Sequence, residues 1–183
     1  MGNSPLRAMP KKLDAAALRA RVREAGAGTL QLQGWQVSCG GAELAGALAA
    51  EGAGLTGLKI FHIKPGADGW RAVFEALRKG ACPRLATLSL LKCDLGPNGG
   101  AALAAALVGG GCPALTELNI ADSKLGDAGF GALAEALGRG ACPGMATLHA
   151  PRNGLTVLPE ALCGVASLEE LDLIDNDIGS LPH

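Results

Sequence analysis

The chain contains no tyrosine, two tryptophans and three phenylalanines among 183 residues. Aromatic side chains supply much of the buried area in most mixed cores, so this core must be built from small and aliphatic groups. Material for one is plentiful, because 49% of the residues are hydrophobic. A basic excess is also missing: 16 Lys and Arg stand against 17 Asp and Glu. Binding to a phosphate backbone requires clustered cations, so no nucleic-acid partner is expected. No apolar run reaches the 18 residues that a membrane span needs, and none is expected. The opening MGNSPLRAMPKKLD lacks the apolar stretch of a secretory signal. Gly2 suggests N-myristoylation, but Leu6 stands where that motif takes Ser or Thr. The expected setting is intracellular, cytoplasmic by default, with a ciliary or organellar complex as a variant.

Catalytic and cofactor motifs are equally scarce. No CxxC pair occurs and no histidine completes a zinc pattern. No GxxxxGK[ST] is present. GAGLTG from Gly52 to Gly57 matches GxGxxG, but it follows a helical segment and leads into a strand. A dinucleotide site needs strand then helix. His62, His149 and His183 read as surface residues, since no nucleophile stands beside His62 and His149 together. No catalytic residue, cofactor or metal site is expected, and the chain is not expected to be an enzyme.

What the chain does contain is repetition. GACPRLATLSLLKCDLG begins at Gly80, GGCPALTELNIADSKLG at Gly110 and GACPGMATLHAPRNGLT at Gly140. Six units align at Leu30, Leu55, Leu85, Leu115, Met145 and Leu168. Alternation in LxLx points Leu88, Leu90, Leu118 and Ile120 inward from short parallel strands. The segments that follow switch to helical spacing, with Val73 and Leu77, Leu103 and Leu107, and Leu133 and Leu137 each four apart. GADG, GPNG and GDAG supply the turns that open these helices. Each unit has one bare apolar side, which only a stacked neighbour can cover. The recurring Cys-Pro reads as the helix stop, because proline cannot continue a helix and cysteine is small and apolar. Trp70, Gly100 and Phe130 share one helix position and read as interlocking packing rather than an aromatic clamp. Cys82, Cys112 and Cys142 stack in register and read as buried, reduced thiols.

The LxxLxLxxN/CxL pattern resembles the leucine-rich repeat family over about residues 27–183. The middle repeats are similar to the ribonuclease-inhibitor-like subtype, and GLTVLPEALCGVASL to a shorter LPxxL type. The resemblance implies an α/β leucine-rich repeat solenoid, curved, with parallel strands on the concave face and helices on the convex face. It also implies that polar members of the column Ile63, Cys93, Ser123, Asn153 and Asn176 bond the backbone of the turn below them. Ile63 departs from that pattern. The expected organisation is an N-terminal tail and capping helix over 1–26, with Leu13, Ala17 and Leu18 facing inward. A solenoid of about six repeats follows over 27–183, its last repeat incomplete.

On such a solenoid the x positions of LxLxx face the concave surface. One column runs Gln31, Lys59, Ser89, Asn119, His149 and Asp172. The next is Gln33, Phe61, Leu91, Ala121, Pro151 and Ile174, and the third is His62, Lys92, Asp122, Arg152 and Asp175. An apolar column between polar ones is the pattern of a protein-binding surface. The candidate residues are therefore Lys59, Phe61, His62, Ser89, Leu91, Lys92, Asn119, Asp122, His149, Pro151, Arg152, Asp172, Ile174 and Asp175, centred on Phe61, Leu91 and Pro151.

The family resemblance implies a non-enzymatic interaction module whose partner is another protein. The alternatives are a structural subunit of a ciliary or organellar assembly, which would use convex and terminal surfaces, and a regulator of a GTPase or ribonuclease. Charge is unevenly placed, with Arg7, Lys11, Lys12, Arg19, Arg21 and Arg23 near the start. Glu169, Glu170, Asp172, Asp175 and Asp177 lie near the end, with no Lys or Arg after Arg152. Leu171, Leu173 and Ile178 border an end that the sequence does not cap, which suggests an end-on contact there.

Overall fold

The computed structural model describes residues 13–34 and 40–179. Gly2, Leu6, Arg7, Lys11, Lys12, His183 and the terminal SLPH lie outside that range. Six parallel strands form one sheet in sequence order: β1 Thr29–Gln33, β2 Gly57–Phe61, β3 Thr87–Leu91, β4 Glu117–Asn119, β5 Thr147–His149 and β6 Glu170–Asp172. Between them run α2 Gly41–Glu51, α3 Gly66–Arg78, α4 Gly96–Val108 and α5 Gly126–Gly138, after the N-terminal α1 Ala15–Ala25. The last crossover carries only a 3-10 helix, Glu160–Gly164, because a 23-residue step leaves no room for 13 helical residues. A second 3-10 helix, Gly52–Gly54, precedes β2. The helix-then-strand order at GAGLTG removes any dinucleotide reading there.

Register follows the repeat: Leu58 pairs with Leu88, Leu88 with Leu118, Leu118 with Leu148, and Leu148 with Leu171. Leu58, Leu88, Leu90, Leu118, Ile120 and Leu148 are fully buried, as are Leu77, Leu103 and Leu133 from the helices. α1 caps the first repeat with Leu18 and Val22, and Asp14 starts it by accepting the Ala17 amide at 2.8 Å. Trp70 and Phe130 are both fully buried. Between them a Cβ on Gly100 would stand 2.8 Å from the Gly129 Cα, so α4 and α5 touch backbone to backbone. That column is core.

The helix stop is not where the sequence pattern placed it. Gly80, Gly110 and Gly140 adopt φ of 82°, 76° and 80°. The Gly80 amide donates to Leu77 O and the next amide, Ala81, to Ala76 O; the same pair recurs at Gly110 and Gly140. This double bond closes a helix end through a left-handed residue, a conformation that costs glycine little. Cys-Pro acts one step later. The amides of Leu85, Leu115 and Met145 donate back to Cys82, Cys112 and Cys142 O, so proline opens a tight turn that aims the chain into the strand.

The backbone after β3 to β6 is held by side chains of the predicted column. Ser123 Oγ donates to Leu90 O at 2.7 Å and accepts from the Cys93 amide. Asn153 Oδ1 accepts from the Ser123 and Leu125 amides, and its Nδ2 donates to Ile120, Ala150 and Pro151 O. Asn176 repeats the arrangement against Asn153 and Leu155. Ile63 is buried but offers no polar atom; the indole of Trp70 donates to Cys93 O nearby at 3.1 Å.

This interior can be tested in two ways. Asn153→Ala leaves several buried backbone groups without partners, at roughly 1–3 kcal/mol each when uncompensated. We expect a loss of about 3 kcal/mol or more in urea unfolding; a loss under about 1 kcal/mol would show that water replaces the amide. Burial pushes the thiols of Cys82 and Cys142 up to about 11 and those of Cys93 and Cys112 to about 12, whereas Cys163 is exposed. Cys39 lies outside the described residues. In a Cys39→Ser background, Cys163 should react rapidly with a thiol reagent at pH ~8 and the four buried thiols only in denaturant.

Candidate concave interface

The strand face carries three columns, and the backbone decides what each can present. In the first column, Asn119 Oδ1 accepts the Ala121 amide at 3.0 Å and Asp172 Oδ1 the Ile174 amide at 3.0 Å. Such side-chain turns compete with strand pairing; β4, β5 and β6 are each three residues long where β2 and β3 are five, and in β5 the turn residue is Pro151, which has no amide to pair. Ser89, predicted to face a partner, is 7% exposed and is too sheltered to offer much contact. Lys59 is exposed. His149 is half-buried, its Nδ1 3.7 Å from Asp172.

The third column has a conformational signature that spacing did not reveal. His62, Lys92, Asp122, Arg152 and Asp175 all have φ between 52° and 57°. Each turns the chain off the sheet in the left-handed region, which disfavours β-branched side chains. Their charges alternate and pair along the solenoid: Lys92 with Asp122 at 3.9 Å, and Arg152 with Asp175 at 2.9 Å. A parallel ladder was missed in the sequence. Asp94 sits between Lys64 at 3.6 Å and Lys124 at 2.9 Å, and the signal was there in opposite charges one repeat apart. The third column is thus largely occupied with itself.

The second column stays apolar and open. Leu91 and Pro151 are half-buried, Ala121 is 8% exposed and Ile174 is 67% exposed. The short side chain of Ala121 lies between larger neighbours and leaves a hollow of about 280 Å³. Its walls are Leu91, Lys92, Ala121, Asp122, Pro151, Arg152, Asp172, Ile174 and Asp175. Most of the predicted residues are brought together there. Ser89, Asn119 and His149 are not among its walls, and neither are Lys59, Phe61 and His62, which sit on the second repeat, where the Phe61 ring stacks near His62 at 6.3 Å. The hollow therefore lies nearer the sixth repeat than the expected centre on Phe61, Leu91 and Pro151, of which it includes the last two.

A family model described as Leucine Rich repeat matches residues 111–134. Those residues hold β4, its side-chain ladder and the start of α5. The fold is a leucine-rich repeat solenoid. No curated protein matches the chain. Leucine-rich repeats commonly mediate protein–protein contact and generally do so without catalysis. Among the described residues, no three His, Cys, Asp or Glu side chains converge as metal ligands, and no helix is long and apolar enough to cross a membrane.

Carboxylates also brace the solenoid, between repeats at Asp127 and Asp94 and within α3 at Glu75. Asp127, at the start of α5, accepts from Thr156 Oγ1 at 2.6 Å and from the Thr156 and Val157 amides, which holds its carboxyl below the usual range. Hydrogen bonding to Lys124 does the same for Asp94, and bonding to Arg78 lowers Glu75 to about 2. A depressed folded-state value gives stability that is present above the unfolded carboxylate range near ~4 and is lost as pH falls through the folded value. The melting temperature should hold above pH ~5 and drop between pH ~4 and ~2. Asp127→Asn should melt lower at neutral pH and lose less on acidification; an unchanged acid profile would remove Asp127 from this role.

Proposed function

We propose that the chain is a non-enzymatic protein-interaction module that binds its partner through the concave face, at the hollow floored by Ala121. The observation that carries this is the open apolar column beside a charge ladder already paired with itself. Ile174, at 67% exposure, has no folding role that accounts for it. A hollow of about 280 Å³ accepts one large side chain of a partner. We assign the middle repeats to the ribonuclease-inhibitor-like subtype, since α3, α4 and α5 each span 13 residues. The 3-10 crossover supports the shorter LPxxL type for the last repeat. The unpaired buried thiols support a reducing, intracellular setting.

A second reading concerns the sixth repeat. Leu171 is 37% exposed, and among the described residues no strand pairs with the outer side of β6. This favours an end-on contact with another subunit.

Leu91→Asp combined with Ile174→Asp should abolish capture of the partner and leave the far-ultraviolet circular dichroism unchanged. Each apolar anchor at an interface commonly contributes ~2 kcal/mol or more. Phe61→Ala, outside the hollow, should weaken capture less. Full capture by the double variant would move the interface to the helices or to the sixth repeat.

A further inference from the structure

We infer that the segment seated in the hollow carries a large apolar anchor with lysine or arginine next to it. This inference rests on the concave-face reading above and specifies the partner's chemistry. The strand face is electrically polar along its length. Lys59 and Lys92 lie over the second and third repeats. Over the fourth to sixth, alternation along the strands puts Glu117 and Glu170 in one column, since both pair with Thr147. Glu170 and Asp172 lie on the same side of β6, and Ile174 follows beyond its end, beside Asp172 on the wall of the hollow. The arginine in that half of the face, Arg152, is taken by Asp175. Glu170 makes no ion pair among the described residues and is exposed.

The hollow thus has an apolar floor and, once Lys92–Asp122 and Arg152–Asp175 are paired, one further carboxylate on its rim, Asp172, with Glu170 outside the hollow two residues before it on β6. An acidic segment would meet like charge beside the site where its anchor seats, which opposes docking. A neutral segment would bury the anchor and leave the carboxylates unused. A basic neighbour gains from Glu170 and Asp172 without displacing the Arg152–Asp175 pair. Lys92 remains bound to Asp122 and does not reverse the sign.

The probe is a library of random twelve-residue peptides displayed on phage and selected on the whole chain, with an Ala121→Trp chain, whose hollow is filled, as the counter-target. Circular dichroism and thermal melting first establish that Ala121→Trp folds. We expect enriched peptides to share one large apolar residue flanked by Lys or Arg and to lose binding to Ala121→Trp. Glu117→Lys with Glu170→Lys should weaken them on the order of tenfold, and raised salt should do the same. Enriched peptides that are acidic or uncharged, yet still lost on Ala121→Trp, would overturn the basic partner and leave the concave site standing. Peptides that bind Ala121→Trp equally well would overturn both. Absence of any enrichment would overturn the inferred segment, while the double-aspartate capture experiment would still decide the concave reading on its own. If Ala121→Trp fails to fold, Ile174→Asp serves as the counter-target with the same outcomes.

Discussion

Asn153 holds five backbone groups with one amide: two N–H donors from the preceding repeat, one carbonyl beneath it and two of its own. A loop buried between stacked repeats has no water to satisfy it, so every polar backbone group there needs a protein partner. Because the amide reaches across to the neighbouring repeat, it fixes both the turn and the spacing between repeats. Ser123 does a smaller version with one hydroxyl, and Asn176 hands the pattern on. With the turns fixed, one residue in the turn after each of β2 to β6 (His62, Lys92, Asp122, Arg152 and Asp175) takes the left-handed region, and that sets where the three surface columns stand.

Much of this was legible before the structure. The 30-residue period identified the stacked unit, and alternation identified Leu88, Leu90, Leu118 and Ile120 as core. The buried ladder was legible only through the family resemblance; its physical reason is that a polar residue among buried leucines must find its hydrogen bonds in the backbone around it. The helix stop was misplaced because proline is a louder signal than glycine: Gly80 is one of 28 glycines, and only its φ of 82° and the two bonds beside it distinguish it. The candidate surface was legible as columns but not as a shape. Phe61 outweighs Ala121 in any reading by residue size, yet a hollow forms where the side chain is small. Ser89 illustrates the converse, for its position faces outward while its neighbours cover it.

The charged column shows why composition is a poor guide to a binding face. Lys92, Asp122, Arg152 and Asp175 look like a polar rim offered to a partner. In the fold they are spaced one repeat apart, which brings Lys92 within 3.9 Å of Asp122 and Arg152 within 2.9 Å of Asp175. Exposed pairs of this kind add little stability. Their effect is to cancel a field that four separate charges would otherwise project.

That cancellation leaves selectivity to the groups outside it. A partner that competes for Arg152 must first break its pair with Asp175, and so gains only the difference between two similar ion pairs. A partner that engages the hollow and Glu170 breaks nothing. In the proposed interface apolar burial supplies the affinity, since it scales with area and is indifferent to sign, while Glu170, which makes no ion pair among the described residues, and Asp172, which faces only His149, select by charge. The same division explains how a chain with a net charge of −1 can still discriminate by charge: the balance is global, and the imbalance is confined to one end of one face.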